Sequence, residues 1–147
     1  MPAMRAFVSL LVLTLAACGS SGSKDSMTHP AAAALGREYV LGFGETLNLE
    51  GGISLEFTTL AEDSRCPTGV QCIWEGNGRI LLDATTPRGV NSLELNTNAR
   101  FATRAVFDSY AVELRKLAPY PTSTSQSGGG APSASAYEAT LFVGNAQ

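Results

Sequence analysis

Beyond residue 36, apolar and polar positions alternate with period two. In "GGISLEFTTL", Ile53, Leu55 and Phe57 alternate with Ser54, Glu56 and Thr58, the pattern of a strand with one face on a core. "DSYAVELRKL" repeats it with Tyr110, Val112 and Leu114, and "SAYEATLFVG" with Tyr137, Ala139, Leu141 and Val143. "YVLGFG", "ETLNLE", "GRILLDATT" and "VNSLELNT" supply four further extended segments, separated by Gly, Pro and Asn punctuation such as "TPRGVN". No segment keeps a helical period over three turns, and "ARFATRAVFDSY" has room for a short helix or turn at most. One-faced strands must bury their apolar sides against one another. The pattern therefore predicts an all-β fold: an antiparallel β-sandwich of about seven strands, Ig-like in architecture, with a partly open β-barrel as runner-up.

The first residues follow a different rule. "MPAMRAFVSLLVLTLAAC" carries Arg5 as its only charge, then an apolar run over residues 6–15 and small residues up to Cys18. The run is well short of the roughly twenty residues a membrane-spanning helix needs, so residues 1–17 read as a signal peptide. Its ending, Leu15-Ala16-Ala17-Cys18, resembles the lipobox of bacterial lipoproteins. That resemblance implies cleavage before Cys18, a diacylglyceryl group on its thiol, palmitate-type acylation and a body held at the cell envelope by two or more acyl chains, where one would hold it only marginally. Gly19 stands where the inner-membrane retention signal places an aspartate, which implies the outer membrane in a Gram-negative organism. Residues 18–35, rich in Gly, Ser and Ala, read as a flexible tether, and residues 36–147 as one domain. Within it, "YPTSTSQSGGGAPSASA" (120–136) is low in complexity and is expected to be a disordered loop.

Composition narrows the partners. Ten Lys and Arg stand against thirteen Asp and Glu, for a net charge of −3, and no basic cluster is longer than Arg115-Lys116. Nucleic acid, which demands concentrated positive charge, is not an expected partner. Of three cysteines, assigning Cys18 to lipid leaves Cys66 and Cys72, which in an exported chain are expected to form a disulfide. Closing so short a loop contributes roughly 2.4 kcal/mol in the chain-entropy model. The only histidine, His29, lies in the tether, so structural zinc lacks its ligands. No metal or other cofactor is expected.

The densest chemistry is "EDSRCPTGVQCIWEGNG", residues 62–78. It reads as the turn between a strand ending near Ala61 and one starting at Cys72, with Cys66-Pro67-Thr68-Gly69 suited to a type I turn. Asp63 is placed to accept N–H bonds from Arg65 or Cys66, and Arg65 to lie over Trp74. Alternation from Cys72 puts Trp74, Gly76, Gly78 and Ile80 on one face, with the tryptophan filling the core. The pattern Asp-Ser-Arg-Cys-Pro, a few residues, then Cys-x-Trp-x-Gly, with "LAPYP" further on, resembles that of a family of small bacterial lipoproteins without an assigned activity. The resemblance implies fold and location and adds no chemistry.

Nucleophilic catalysis by Ser or Cys normally needs a base such as His, and the predicted domain has none. The expectation is a non-enzymatic module, joined to the membrane by its lipid, that binds an envelope protein or a small-molecule ligand through a tip bearing Asp63, Arg65, Trp74 and Glu75, flanked by Glu62 and Val70. For Asp63 and Arg65 themselves, fastening the hairpin is the favoured role. Two alternatives use the same loop: a carboxylate-dependent hydrolase pairing Glu62 or Asp63 with Glu75, and a calcium site on Glu62, Asp63 and Asn77, although no EF-hand loop is present.

Overall fold

The computed structural model describes residues 32–123 and 132–147. The signal peptide, Cys18, most of the tether and residues 124–131 of the expected disordered loop lie outside the described residues.

Among the described residues the chain forms two four-stranded antiparallel sheets. The strands are β1 (Arg37–Gly42), β2 (Thr46–Leu49), β3 (Ile53–Asp63), β4 (Gly78–Thr86), β5 (Gly89–Asn96), β6 (Arg104–Phe107), β7 (Tyr110–Ala118) and β8 (Glu138–Asn145). One sheet has the order β2-β3-β4-β5 and the other β1-β8-β7-β6. The sandwich is as expected, and the sheets do not close into a barrel. Its connectivity is an up-and-down meander rather than a Greek key: every strand neighbours its successor except where the chain changes sheet, at β1 to β2 and β5 to β6. β8 returns to pair with β1.

The alternation read from the sequence makes the core. Ile53, Leu55 and Phe57 meet Ile80, Leu82 and Ala84 across one sheet, and Val112, Leu114, Ala139, Leu141 and Val143 face them from the other. β3 carries two bulges, at Thr58 between paired Phe57 and Thr59 and at Ala61 between Leu60 and Glu62. A bulge inverts the side-chain parity of everything beyond it. The first turns Leu60 toward the core, and the second restores the original parity so that Asp63 also points inward. A third irregularity, between Leu114 and Lys116 on β7, brings Leu117 onto the buried face.

Four expectations change. The stretch "ARFATRAVFDSY" contains strand β6, which turns tightly into β7 with Asp108 at φ 50°. The return strand begins at Gly78, not Cys72, because Gly76 adopts φ 71° and ends the alternation before the ladder starts. The tether's last residues are docked. Ala33 donates its N–H to Asn48 O and accepts from Glu50 N, against Leu49. The ends of the low-complexity stretch are also fixed: Thr68 bridges Thr122, and residues Ala134–Ala136 make a 3-10 turn before Tyr137 enters the core.

Ala33 sits beside Leu49, whose register partner is Ile53, the first residue of β3. Asp63 is at the other end of that strand. At about 3.3 Å per residue the two ends lie roughly 30 Å apart. The chain therefore enters the sandwich at one pole and presents the cysteine loop at the other.

Candidate functional site

The far pole is built on a narrow neck. Beyond the last ladder pair, Asp63 with Gly78, the two strands stay close. Ser64 N donates to Asn77 O at 2.7 Å and Cys66 N to Glu75 O at 2.9 Å. Gly76 lies between these bonds, where a Cβ would overlap the Ser64 carbonyl and reach 2.9 Å from the Arg65 Cα. Only glycine satisfies both that approach and the positive φ. Above the neck, Cys66 and Cys72 form the expected disulfide, with Cα atoms 5.9 Å apart.

Asp63 and Arg65 form the fastening below it. Their side chains are 8 % and 6 % exposed, and the guanidinium meets the carboxylate as a fork, Nε to Oδ1 at 2.7 Å and Nη2 to Oδ2 at 2.8 Å. The Arg65 N–H also points at Asp63 Oδ1, at 3.4 Å. Arg65 donates onward to the carbonyls of Leu117, near the end of β7 in the opposite sheet, and of Pro119, just beyond that strand, and its Cζ lies 4.9 Å from the centre of the Tyr120 ring. Tyr137 closes the group by donating its hydroxyl to Asp63 Oδ2 at 2.8 Å. Burial raises the Asp63 pKa, but bonds from Arg65 and Tyr137 together with the Arg65 charge outweigh it, and the carboxyl sits below its usual range. Burial and the adjoining Asp63 carboxylate push the Tyr137 phenol up to about 12. One buried ion pair thus ties the loop to both sheets.

A second network holds the other flank. Asn77 donates to Asn96 Oδ1 at 2.8 Å and accepts from Asn98 N at 3.2 Å, while Asn98 Nδ2 donates to Gly76 O at 2.9 Å. Asn96 in turn donates to Ala102 O at 3.2 Å. Asn77 and Asn96 are buried and satisfied, as buried amides must be.

Sequence reasoning brought Asp63 and Arg65 together correctly and misplaced Trp74. The tryptophan does not fill the core and does not carry Arg65 on its ring, a place taken by Tyr120. It is 73 % exposed, beside Ile73 at 90 %. Leaving that much indole in water forgoes about 4 kcal/mol of burial. The loop that holds it is nonetheless fixed on both sides.

Two grooves flank the ridge made by Glu75 and Gly76. One, of about 460 Å³, is lined by Ile73, Trp74 and Phe101 together with Glu62, Arg100 and two asparagines. The other, of about 480 Å³, is lined by Tyr120 and Thr97 together with Lys116 and Arg115. Both are walled in part by Asn98. Glu62 and Glu75 share the first groove; Glu62 accepts from Ser64 Oγ at 2.7 Å and lies 3.8 Å from Arg79. The calcium set is not assembled: Asp63 is turned inward onto Arg65 and Tyr137, and Asn77 onto Asn96. Among the described residues no three His, Cys, Asp or Glu side chains are grouped to hold a metal ion.

As site residues, Phe101, Tyr120, Asn96 and Asn98 escaped the sequence reading, and Tyr137 was read only as part of an apolar strand face. The run "NTNAR" carried a signal, since closely spaced asparagines after a strand commonly cap loops through backbone bonds. The tyrosines carried none, because their partner lies more than fifty residues away in the chain. The chain matches no family model, no curated protein and no solved structure.

Proposed function

We propose that this protein is a non-enzymatic binding module of the bacterial cell envelope, fixed to the membrane through lipid on Cys18 and displaying the loop around Trp74 to a ligand. The observation that carries the reading is the separation of two poles: the chain joins the sandwich beside Leu49, and the exposed Ile73 and Trp74 stand at the opposite end of β3. An anchor at the first pole turns the second away from the lipid surface. Further support comes from the Cys66–Cys72 disulfide, which suits an oxidising compartment. The disulfide and the neck hydrogen bonds that brace the loop's backbone add to it, because a backbone ordered before binding loses less entropy on association.

The test has two parts in the native host. Radiolabelled fatty acid should be incorporated into the chain and membrane attachment should vanish in a Cys18→Ala variant, with Cys66 and Cys72 protected from alkylation until reduced. A photo-crosslinking residue at position 74 should trap an envelope component. A cytoplasmic protein with alkylatable thiols overturns the reading.

A further inference from the structure

Resting on that reading, we infer that the ligand is a glycan: an extended saccharide chain that crosses the Glu75–Gly76 ridge, stacked on Trp74 and Phe101 on one side and on Tyr120 on the other. Sugars are amphipathic on a fine scale. Each ring offers a C–H face that packs on an aromatic ring and a rim of hydroxyls that pair with planar polar side chains.

The far pole has that alternation. Three aromatic rings, Trp74, Phe101 and Tyr120, each keep at least half of their surface in water. They are spread over two open grooves that share Glu75, Gly76 and Asn98. Between the rings stand side chains whose polar ends are unspent. Glu75, Arg100 and Lys116 are exposed and make no side-chain hydrogen bond or ion pair among the described residues. Arg65, by contrast, is engaged by Asp63, Leu117 and Pro119, which leaves Arg100 in one groove and Lys116 in the other as the unpaired cations among the described residues lining them.

A protein partner would favour a different surface. Protein interfaces concentrate their anchors in one desolvated apolar centre with charges depleted there. Here Glu75 and Asn98 line both grooves, and the exposed rings are divided between them, Trp74 and Phe101 beside Ile73 in one and Tyr120 in the other. Two grooves sharing one ridge favour a chain of several sugar units over a monosaccharide. Arg100 in one groove and Lys116 in the other accept a sparsely anionic chain, while Glu75, shared by both, disfavours a densely anionic one.

The full chain carrying Cys18→Ala serves as the test protein, because it needs no detergent with a sugar headgroup. Trp74 is its only tryptophan, so intrinsic emission reads the site directly. Titration with cellohexaose, with chitohexaose and with soluble glycan chains released from the host envelope should give a saturable blue shift with at least one of them. Phe101→Ala and Glu75→Gln should each weaken that binding about tenfold. Lys116→Ala should weaken the hexasaccharide while leaving a disaccharide unaffected, the signature of a ligand that crosses the ridge. By calorimetry Trp74→Phe should bind and Trp74→Ala should not.

A flat response to all three probes overturns the inference. If position 74 then crosslinks to an envelope protein in cells, the ligand class is wrong and the binding module stands; with no crosslink either, both fall. Recovery of shortened hexasaccharide after incubation would keep the glycan class and overturn the non-enzymatic reading in favour of the Glu62 and Glu75 pair.

Discussion

Removing one partner of the Asp63–Arg65 pair gives the sharpest test of how the far pole is held. In Asp63→Asn the Arg65 guanidinium keeps its carbonyl acceptors on Leu117 and Pro119 but loses the charge that meets its fork. The side chain is only 6 % exposed, so water cannot replace that charge. Breaking a buried pair in this way costs about 3–5 kcal/mol, most of it the desolvation of the charge left behind. At this chain length the melting midpoint should fall by about 12–20 °C. Arg65→Met should cost a similar amount, since it leaves the Asp63 carboxylate only the Tyr137 hydroxyl and the long Arg65 N–H contact and frees the carbonyls of Leu117 and Pro119. The double variant distinguishes the causes. With no charge left to desolvate, it should be less damaged than the sum of the single losses by about 2 kcal/mol or more. Far-UV circular dichroism in urea is the suitable readout, because Trp74 lies in water in the native state and reports unfolding poorly. A loss below about 1 kcal/mol in Asp63→Asn, or strict additivity in the double variant, refutes the claim that this pair fastens the loop.

The same node sets the pH limits. Asp63 titrates lower in the folded chain than unfolded, so its contribution is present above about pH 4 and disappears as acid protonates it through the lower folded value; acid titration followed by circular dichroism checks this. Tyr137 titrates higher when folded, so its contribution is complete below about pH 10. It is lost as pH rises through the folded value of about 12, and Tyr137→Phe should remove this alkaline loss. Reducing the disulfide should lower unfolding free energy by about 2 kcal/mol and leave the sheets intact, as measured by denaturation with and without a reductant. Gly76→Ala should cost at least about 3 kcal/mol, because both its positive φ and the Ser64 carbonyl oppose a Cβ. Trp74→Ala should shift stability by no more than about 0.5 kcal/mol, despite deleting the largest side chain in the loop.

The alternation of Ile53, Leu55 and Phe57 was enough to read a sandwich, because a strand buried on one face must repeat every two residues. What that rule could not show is where the count slips. The bulges at Thr58 and Ala61 cancel, so Asp63 faces inward as an uninterrupted count also predicts, while Leu60 does so only because the first bulge inverts parity. Starting the strand at Cys72 and counting in twos placed Trp74 in the core, and it failed because the ladder begins only at Gly78. β6 went unread because its four residues form an edge strand with Phe107 alone fully buried. At the site, Asp63 and Arg65 were legible as a local pair two residues apart. Their partners Leu117, Pro119 and Tyr137 depend on how the second sheet lies over the first, which no local spacing encodes.

Two sets of residues separate within this one short segment. Asp63, Arg65 and Asn77 are tied to distant elements by side-chain bonds that another residue type would break, and Gly76 is too closely approached by the Ser64 backbone to accept a side chain. Ile73, Trp74 and Glu75 are exposed, and nothing in the fold requires their identities. A loop under selection for stability alone would replace an exposed indole and its aliphatic neighbour with polar residues, since exposed apolar clusters promote aggregation. The foundation beneath them is expensive in another sense: a buried ion pair is often no more stabilising than apolar packing of the same volume, yet it fixes the loop's orientation through five directional bonds. A rigid support under an apolar tip, roughly 30 Å from the chain's point of entry, is an arrangement that makes physical sense when the tip is covered in the working state. Replacing Ile73 and Trp74 together by Ser and Gln should therefore leave the melting midpoint within about 2 °C of the parent and abolish ligand capture. A double variant that still captures its ligand would remove the reason for placing the site at this pole.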